Sequence, residues 1–245
     1  MNVAVIGGGY AGMAAGVTLA ERRVPVTVFE AAKTLGGRAR RVEYRDTALD
    51  NGLHILVGAY SETLRLMRQV GADPGQLLLR IPLTWQVHER FSLKAARLPA
   101  PLHLLAGLLA ARGAPFLERL AAARFMLSMR RKGYALPHDT TVAILLECEA
   151  QGASLTRLLW RPLCVSALNT PIEVASAQVF LNVLRDSLDA DRAASDLLLP
   201  RADLSRLFPE PAAAYVKANG GEVMTGQRVT GIDEADGSFT VHCAD

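Results

Sequence analysis

Three glycines near the start of the chain have the spacing of a phosphate-binding turn. The letters GGGYAG place Gly7, Gly9 and Gly12 between the apolar residues 3–6 and a helical pattern over residues 13–22. Gly7 allows the tight turn, Gly9 lets the backbone approach a pyrophosphate, and Gly12 lets the helix pack closely on the strand. The free N–H groups at the helix N-terminus attract phosphate charge. The spacing therefore predicts a dinucleotide-binding unit.

A carboxylate follows at the distance that such a unit requires. The second apolar run, residues 26–29, ends on Glu30. A carboxylate at this strand end binds the ribose hydroxyls of a dinucleotide. It would repel a 2′-phosphate, so the sequence predicts a ligand without one.

A second pair of glycines indicates which of the possible dinucleotides binds. The residues Gly36, Gly37 and Arg38 follow Glu30 closely, and they resemble the second fingerprint of FAD enzymes in the amine oxidase and phytoene desaturase superfamily. Glycines let the chain pass close to the ligand, and the planar guanidinium of Arg38 can counter phosphate charge. A solvated surface cation is the alternative for Arg38. The resemblance implies FAD as the cofactor.

The same resemblance suggests further contacts with FAD. The loop containing Gly52 and His54 corresponds to one that runs beside the flavin ring, where Gly52 would permit close contact and His54 would face the ring or the substrate. A loop histidine bonded to a backbone carbonyl is the alternative for His54. The segment near Val229 corresponds to the one whose backbone meets the adenine.

Three longer segments carry a narrower resemblance. Residues 50–67, 159–188 and 196–223 are together similar to the hydroxysqualene dehydroxylases, FAD-dependent enzymes of bacterial squalene and hopanoid biosynthesis. The middle segment carries most of this assignment. The resemblance implies reductive removal of the hydroxyl of hydroxysqualene, with hydride from reduced flavin, to give squalene. The sequence does not identify the electron donor.

The implied reaction needs a group that protonates the leaving hydroxyl, since hydroxide is a poor leaving group. The candidates for this role or for orienting the substrate are His54 and Asn169, and a buried Glu173 would be a third. The alternative for Asn169 is a turn residue before the Thr-Pro pair, and the alternative for Glu173 is a carboxylate in the first turn of a helix.

The pattern along the chain predicts an α/β protein: a Rossmann-type FAD-binding domain from residues 1–75 and 201–245, with an inserted, mainly helical substrate domain over residues 76–200. Members of the superfamily are markedly longer, so we expect a chain truncated at its C-terminus. In the last part, residues 222–225, 227–233 and 238–243 have strand patterns, with a turn signal at Asp236-Gly237.

Composition narrows the class further. The 245 residues are 50% hydrophobic and 21% charged with a net charge of +3, a globular composition without the basic blocks of nucleic-acid sites. The three cysteines lie far apart, which favours free thiols in a cytoplasmic protein over disulfides or a metal site.

Arginines alternate with leucines, phenylalanine and methionines over residues 97–136. One interpretation is a helical lid that touches the inner face of the cytoplasmic membrane, with its cations on anionic head groups. The other is an ordinary amphipathic helix pair over the core. We expect membrane contact, because the implied isoprenoid substrate is almost insoluble in water.

Other functions fit the same motifs. A phytoene-type desaturase or an amine oxidase would use the flavin in the opposite direction. The Rab escort and dissociation-inhibitor proteins resemble this fold and bind prenyl chains without catalysis, but the intact glycine motifs weigh against this third hypothesis.

Overall fold

The computed structural model describes residues 2–235 and 237–244, which form two compact units. The first, here called the sheet unit, comprises Met1–Leu56, Tyr60–Leu79 and Leu199–Asp245. The second, the helical unit, comprises Val57–Ala59 and Arg80–Leu198. The predicted domain limits stay a prediction, because compactness alone does not test whether each part folds by itself.

Both units contain strands and helices. The strands are β1 (Val3–Ile6), β2 (Val26–Glu30), β3 (Arg41–Tyr44), β4 (Thr47–Asp50), β5 (Leu56–Val57), β6 (Leu78–Ile81), β7 (Thr84–Val87), β8 (Phe91–Lys94), β9 (Leu197–Pro200), β10 (Glu222–Thr225), β11 (Val229–Ala235) and β12 (Ser238–Cys243). The helices are α1 (Tyr10–Glu21), α2 (Ser61–Gln69), α3 (Pro74–Leu77), α4 (Leu102–Ala110), α5 (Phe116–Arg131), α6 (Val142–Cys148), α7 (Ala153–Leu155), α8 (Arg161–Leu168), α9 (Ala177–Leu184), α10 (Leu204–Leu207) and α11 (Pro209–Ala218). Strands β5, β6 and β9 include three of the four positions where the chain passes from one unit to the other.

A parallel sheet with the order β1-β2-β10 organises the sheet unit. Val3 pairs with Val26 in β2, and Glu222 of β10 pairs with Thr27. Parallel neighbours need a crossover, which α1 provides between the first two strands. The apolar face of α1 is buried, and Gly16 lets it approach β2, because a Cβ there would lie 3.0 Å from a methyl of Val28.

Two antiparallel hairpins extend the sheet unit. Strands β3 and β4 pair next to the second glycine pair, and β11 pairs with β12 near the end of the chain. The last hairpin agrees with the strand patterns in the sequence. Gly237 has the positive φ that such a turn favours, whereas Asp236 lies outside the described residues.

The helical unit has one continuous apolar core. Phe125 packs edge-on against Trp160, with ring centroids 5.4 Å apart, and Phe180 and Leu181 are completely buried. Two π-helical turns interrupt the regular helices, Thr156–Trp160 before α8 and Arg185–Asp189 after α9.

The region over residues 76–200, predicted to be mainly helical, begins with strands before its helices. Residues 78–94 form β6, β7 and β8, with β7 and β8 paired as a hairpin. The sequence Thr-Trp-Gln-Val of β7 has the β-branched and aromatic residues typical of a strand, and Glu89 adopts the positive φ that closes the turn. Within residues 2–235 and 237–244, none of the helices is both long and apolar enough to span a bilayer.

Candidate cofactor site

The turn between β1 and α1 has the geometry of a phosphate-binding loop. Gly7 has a φ of +104°, and its N–H donates to the carbonyl of Phe29 at 2.7 Å. Gly9 is the N-cap of α1 and offers no side chain to cap it. The N–H groups of the first helical turn, beginning at Tyr10, have no partners within the helix and are available to an anion.

Gly9 and Gly12 are required for different reasons. A Cβ on Gly12 would collide with the carbonyl oxygen of Gly7, so the packing of α1 on β1 itself requires this glycine. Gly9 has an extended backbone that any residue adopts, and a Cβ there would come no closer than 3.8 Å to another atom, the Cα of Gly37. Because the protein does not need a glycine at position 9, the free space fits a bound ligand.

The second glycine pair lies directly against the first turn. Gly36 donates its N–H to the carbonyl of Gly8 at 2.9 Å, and a Cβ on Gly37 would lie 3.3 Å from the Cα of Gly9. Both Gly36 and Gly37 have positive φ angles, +111° and +61°. The two fingerprints therefore form one continuous backbone surface.

Glu30 is held firmly at the end of β2. One carboxylate oxygen accepts a hydrogen bond from the N–H of Gly8 at 2.6 Å, and the other accepts from Ala32 at 2.8 Å. Each oxygen keeps a second lone pair, so the carboxylate can still accept from ribose hydroxyls. The bond to Gly8 couples Glu30, the residue predicted to bind the ribose, to the predicted phosphate-binding turn. The spacing alone did not predict this bond.

Val229 begins β11 just beyond the same strand end. The N–H of Gln227 donates to the carbonyl of Glu30 at 2.9 Å, and Gly226 donates to Ala32 at 3.0 Å. These bonds hold the residues before Val229 beside Glu30, where the adenine end of a dinucleotide would lie. The role of Val229 stays a prediction.

A cavity of about 470 Å³ opens beside the glycine turn. Gly9, Tyr10, Gly36, Arg38 and His54 are among its lining residues. The structure thus brings together predicted residues from both fingerprints and from the following loop. Arg38 is exposed and lines this cavity, and within the described part of the chain no carboxylate forms an ion pair with it, so its charge is available to a phosphate.

His54 lies in the loop that Gly52 shapes with a φ of +86°. Its Nδ1 is 3.2 Å from the carbonyl oxygen of Gly52, so a protonated Nδ1 donates to it. This is the backbone contact named as the alternative for this residue. The contact is compatible with a site role, since it orients the ring, but a neutral ring held this way carries no proton on Nε2.

The other two candidates lie in the helical unit. Asn169 ends α8 in the left-handed conformation, with a φ of +49°, and its side chain is exposed. Glu173 is exposed as well and forms an ion pair of 2.6 Å with Arg161. The hydrogen bond from Arg161 lowers the pKa of Glu173, so it is not the buried acid with a raised pKa that its role would need.

Residues that the sequence did not single out hold the site together. Tyr10 lines the cavity and donates its hydroxyl to the carbonyl of Leu204 at 2.8 Å, and burial raises its pKa. Asp50 accepts from the N–H of Leu204 at 2.8 Å, and the buried Ser205 hydroxyl accepts from the N–H of Arg41 at 2.9 Å. These contacts join segments more than 150 positions apart in sequence, which local patterns do not reveal.

The fold and this site define a dinucleotide-binding flavoprotein. The chain belongs to the flavin containing amine oxidoreductase family, whose model matches residues 10–245. This match confirms the predicted superfamily, the α/β fold class and FAD as the cofactor. Within the described residues no group of three His, Cys, Asp or Glu side chains could hold a metal ion.

Individual relatives cover different shares of the chain. This chain is 28% identical to a hydroxysqualene dehydroxylase of Zymomonas mobilis. The similar region covers 89% of this chain and 52% of the Zymomonas mobilis protein. The chain is 37% identical to a zeta-carotene desaturase of Zea mays, but over 32% of this chain and 14% of that one. A crystal structure of an oxidoreductase from Methanosarcina mazei superposes with a TM-score of 0.72 and 17% identity, covering 100% of this chain and 57% of the other. The chain thus spans about half the length of the curated hydroxysqualene dehydroxylases it matches.

Proposed function

We propose that the protein reduces hydroxysqualene to squalene, with FAD as its cofactor, in the synthesis of squalene and hopanoids. The observation that carries this proposal is the share of the chain over which each relative is similar. This share is 89% for a hydroxysqualene dehydroxylase and 32% for a carotene desaturase. The larger share includes residues of the helical unit as well as the fingerprints, and the fingerprints alone are common to the whole superfamily.

The chain's own residues have separable tasks in this proposal. The glycine turn and the N-terminus of α1 bind the pyrophosphate, Glu30 binds the ribose, Arg38 balances phosphate charge, and the backbone near Val229 meets the adenine. Reduced FAD, when bound, supplies the hydride that replaces the hydroxyl. The protein adds position and exclusion of water.

The leaving hydroxyl takes one proton and departs as water. We propose His54 as the residue that provides this proton, because it lines the cavity that contains Gly9 and Arg38. With Nδ1 donating to Gly52, the ring must be an imidazolium to release a proton from Nε2. Asn169 remains a candidate for orienting the substrate through its amide.

Anaerobic turnover tests the reaction. The purified protein, photoreduced without oxygen, is mixed with hydroxysqualene, squalene or phytoene, and flavin absorbance and products are followed. We expect squalene and reoxidised flavin with hydroxysqualene alone. Oxidation of phytoene or squalene by the oxidised enzyme would establish a desaturase instead, which the local identity of 37% to the carotene desaturase favours as a second candidate. A protein that is purified without flavin and still binds prenyl chains would support the non-catalytic hypothesis.

We also propose a cytoplasmic protein that lies peripherally on the inner face of the membrane. Large apolar side chains of residues 98–117 are exposed: Leu98, Leu102, Phe116 and Leu117 expose 42%, 53%, 58% and 76% of their surface. Exposed arginines at positions 97 and 112 lie in the same stretch. Apolar side chains flanked by cations suit an anionic lipid surface.

A further inference from the structure

A small cavity in the helical unit has an entirely apolar lining. Its floor is made of buried leucines from β8, α4 and the second π-helical turn, among them Leu93, Leu104, Leu108 and Leu188. Leu83, Trp85 and Leu163 are its partly exposed lining residues and are here called the mouth. The lining therefore includes both buried side chains and side chains that reach the solvent.

Both tryptophans of the chain line this cavity, and both keep their polar atoms occupied elsewhere. The indole N–H of Trp85 donates to the carbonyl of Leu158 at 3.0 Å, and that of Trp160 donates to the Gln151 side chain at 3.0 Å. The cavity thus meets the carbon faces of the two rings and no free donor. A cavity without polar partners stays dry and accepts apolar groups.

The volume limits what can enter. The cavity measures about 30 Å³, whereas one water-sized group needs at least about 10–15 Å³ on the same scale. One or two methyl groups fit, and a longer stretch of chain does not. The π-helical turns help create this space, since Leu159 and Trp160 come from the first and Leu188 from the second.

We propose that this cavity is a notch that takes the methyl branches of an isoprenoid chain and so selects branched over unbranched hydrocarbons. The isoprenoid identity of the occupant rests on the proposed function. The preference for an apolar, methyl-sized group rests on the lining and the volume alone. A methyl group placed in such a pocket discriminates by roughly 10–200-fold.

Tryptophan fluorescence can report binding directly, because the partly exposed Trp85 and the buried Trp160 both line the cavity. The chain is titrated with 3,7-dimethyloctan-1-ol and with decan-1-ol, which has the same number of carbons without branches. We expect a saturable change of emission with the branched alcohol at a concentration roughly tenfold lower than with decan-1-ol. Equal response to the two alcohols, or no saturable response, would overturn the proposal.

A filling substitution locates the effect. Leu108→Phe places a larger side chain in the cavity floor, whereas Leu109→Phe makes the same change at an exposed position of α4. We expect the first variant to lose selectivity for the branched alcohol and the second to keep it. If circular dichroism shows that Leu108→Phe does not fold, Leu163→Phe at the mouth replaces it. A folded variant with the larger side chain in the cavity that still prefers the branched alcohol as the wild type does would refute the proposal.

The result is separable from the test of the reaction. Selective binding of the branched alcohol without squalene formation would support the proposed notch and contradict the proposed reaction. Squalene formation by a protein that binds both alcohols equally would leave the reaction and remove the notch.

Discussion

At the scale of single residues, the glycines of the first fingerprint are present for different physical reasons. Gly7 is required because its φ is positive. Gly12 is required because a side chain there would collide with the carbonyl oxygen of Gly7. Gly9 is required for neither reason, since its backbone is extended and its Cβ position is open. A substitution can therefore separate cofactor binding from folding.

We expect Gly9→Val to yield a folded protein without flavin, because its side chain would occupy the space of the pyrophosphate. Gly12→Ala should instead lower the free energy of unfolding by about 1–3 kcal/mol through overpacking. Flavin absorbance after gel filtration and urea unfolding measure the two effects. Arg97→Ala, at an exposed position of the helical unit, is the control with unchanged flavin content. Full flavin in Gly9→Val would show that the site is wrongly placed.

Glu30→Gln should weaken FAD binding by roughly tenfold or more, equal to about 1.4 kcal/mol. The amide has one oxygen, so it cannot accept from both Gly8 and Ala32 as the carboxylate does. Equilibrium titration of the apoprotein with FAD measures the loss. Glu30→Asp keeps the charge, so its affinity for FAD should lie between that of Glu30→Gln and that of the wild type. FAD affinity in Glu30→Gln equal to that of the wild type would exclude a role of the carboxylate.

At the scale of elements, the short helix α10 contacts Tyr10 of the first fingerprint and Arg41, which follows the second. Its N-cap Asp203 accepts from the N–H of Arg206 at 3.0 Å and pairs with Arg41 at 3.4 Å. The following residues receive hydrogen bonds from Tyr10 and Arg41. Loss of this cap should loosen the residues that line the site.

We expect Asp203→Ala to lower the free energy of unfolding by about 1 kcal/mol, the usual value of an N-cap. Asp203→Asn keeps the cap and loses only the partly exposed ion pair, so its change should stay below about 0.5 kcal/mol. Urea unfolding of the two variants measures the difference. Equal losses in the two would mean that the ion pair, and not the cap, stabilises α10.

Local patterns predicted the elements of the site, and distant contacts completed it. The glycine spacings and Glu30 are readable because each acts through its own turn or strand end. The bonds of Asp50 and Ser205 to segments far along the chain leave no periodic signal. The hairpin of β7 and β8 was missed because the leucine-rich, helical residues that follow dominate the composition of residues 76–200.

At the scale of the whole molecule, pH should affect stability through a buried histidine of the helical unit. His103 is completely buried, and neither ring nitrogen has a hydrogen-bond partner among the described residues. Burial lowers its pKa from the usual 6.5; Asp189 and, more weakly, Asp196 and Asp191 oppose this shift, and Arg192 reinforces it. The unfolded chain therefore takes up a proton at a pH where the folded protein does not.

The free energy of unfolding should accordingly fall as the pH drops below about 6.5. His103→Leu should remove this part of the pH dependence, whereas His138→Leu, at an exposed position, should leave it. Tryptophan fluorescence during urea unfolding follows the helical unit between pH 7.5 and roughly 5, above the usual range of Asp and Glu. Parallel pH profiles for wild type and His103→Leu would contradict this assignment.

Membrane contact is tested by flotation with anionic liposomes at low salt. We expect the protein to float with the vesicles and the double variant Phe116→Glu, Leu117→Glu to remain in the dense fraction, because two exposed apolar side chains become anionic. Val174→Glu is the control, since Val174 is 70% exposed but lies outside residues 98–117. Absence of the wild type from the floating fraction would exclude this surface as a lipid contact.

The open position at Gly9 has a consequence for reading the genomes of related organisms. A descendant that abandoned its cofactor could replace this residue freely, while steric necessity would still preserve Gly7 and Gly12. Position 9 would then act as a marker of cofactor use among distant homologues. A bulky residue there, beside two retained glycines, would identify a lineage that kept the scaffold and gave up redox chemistry.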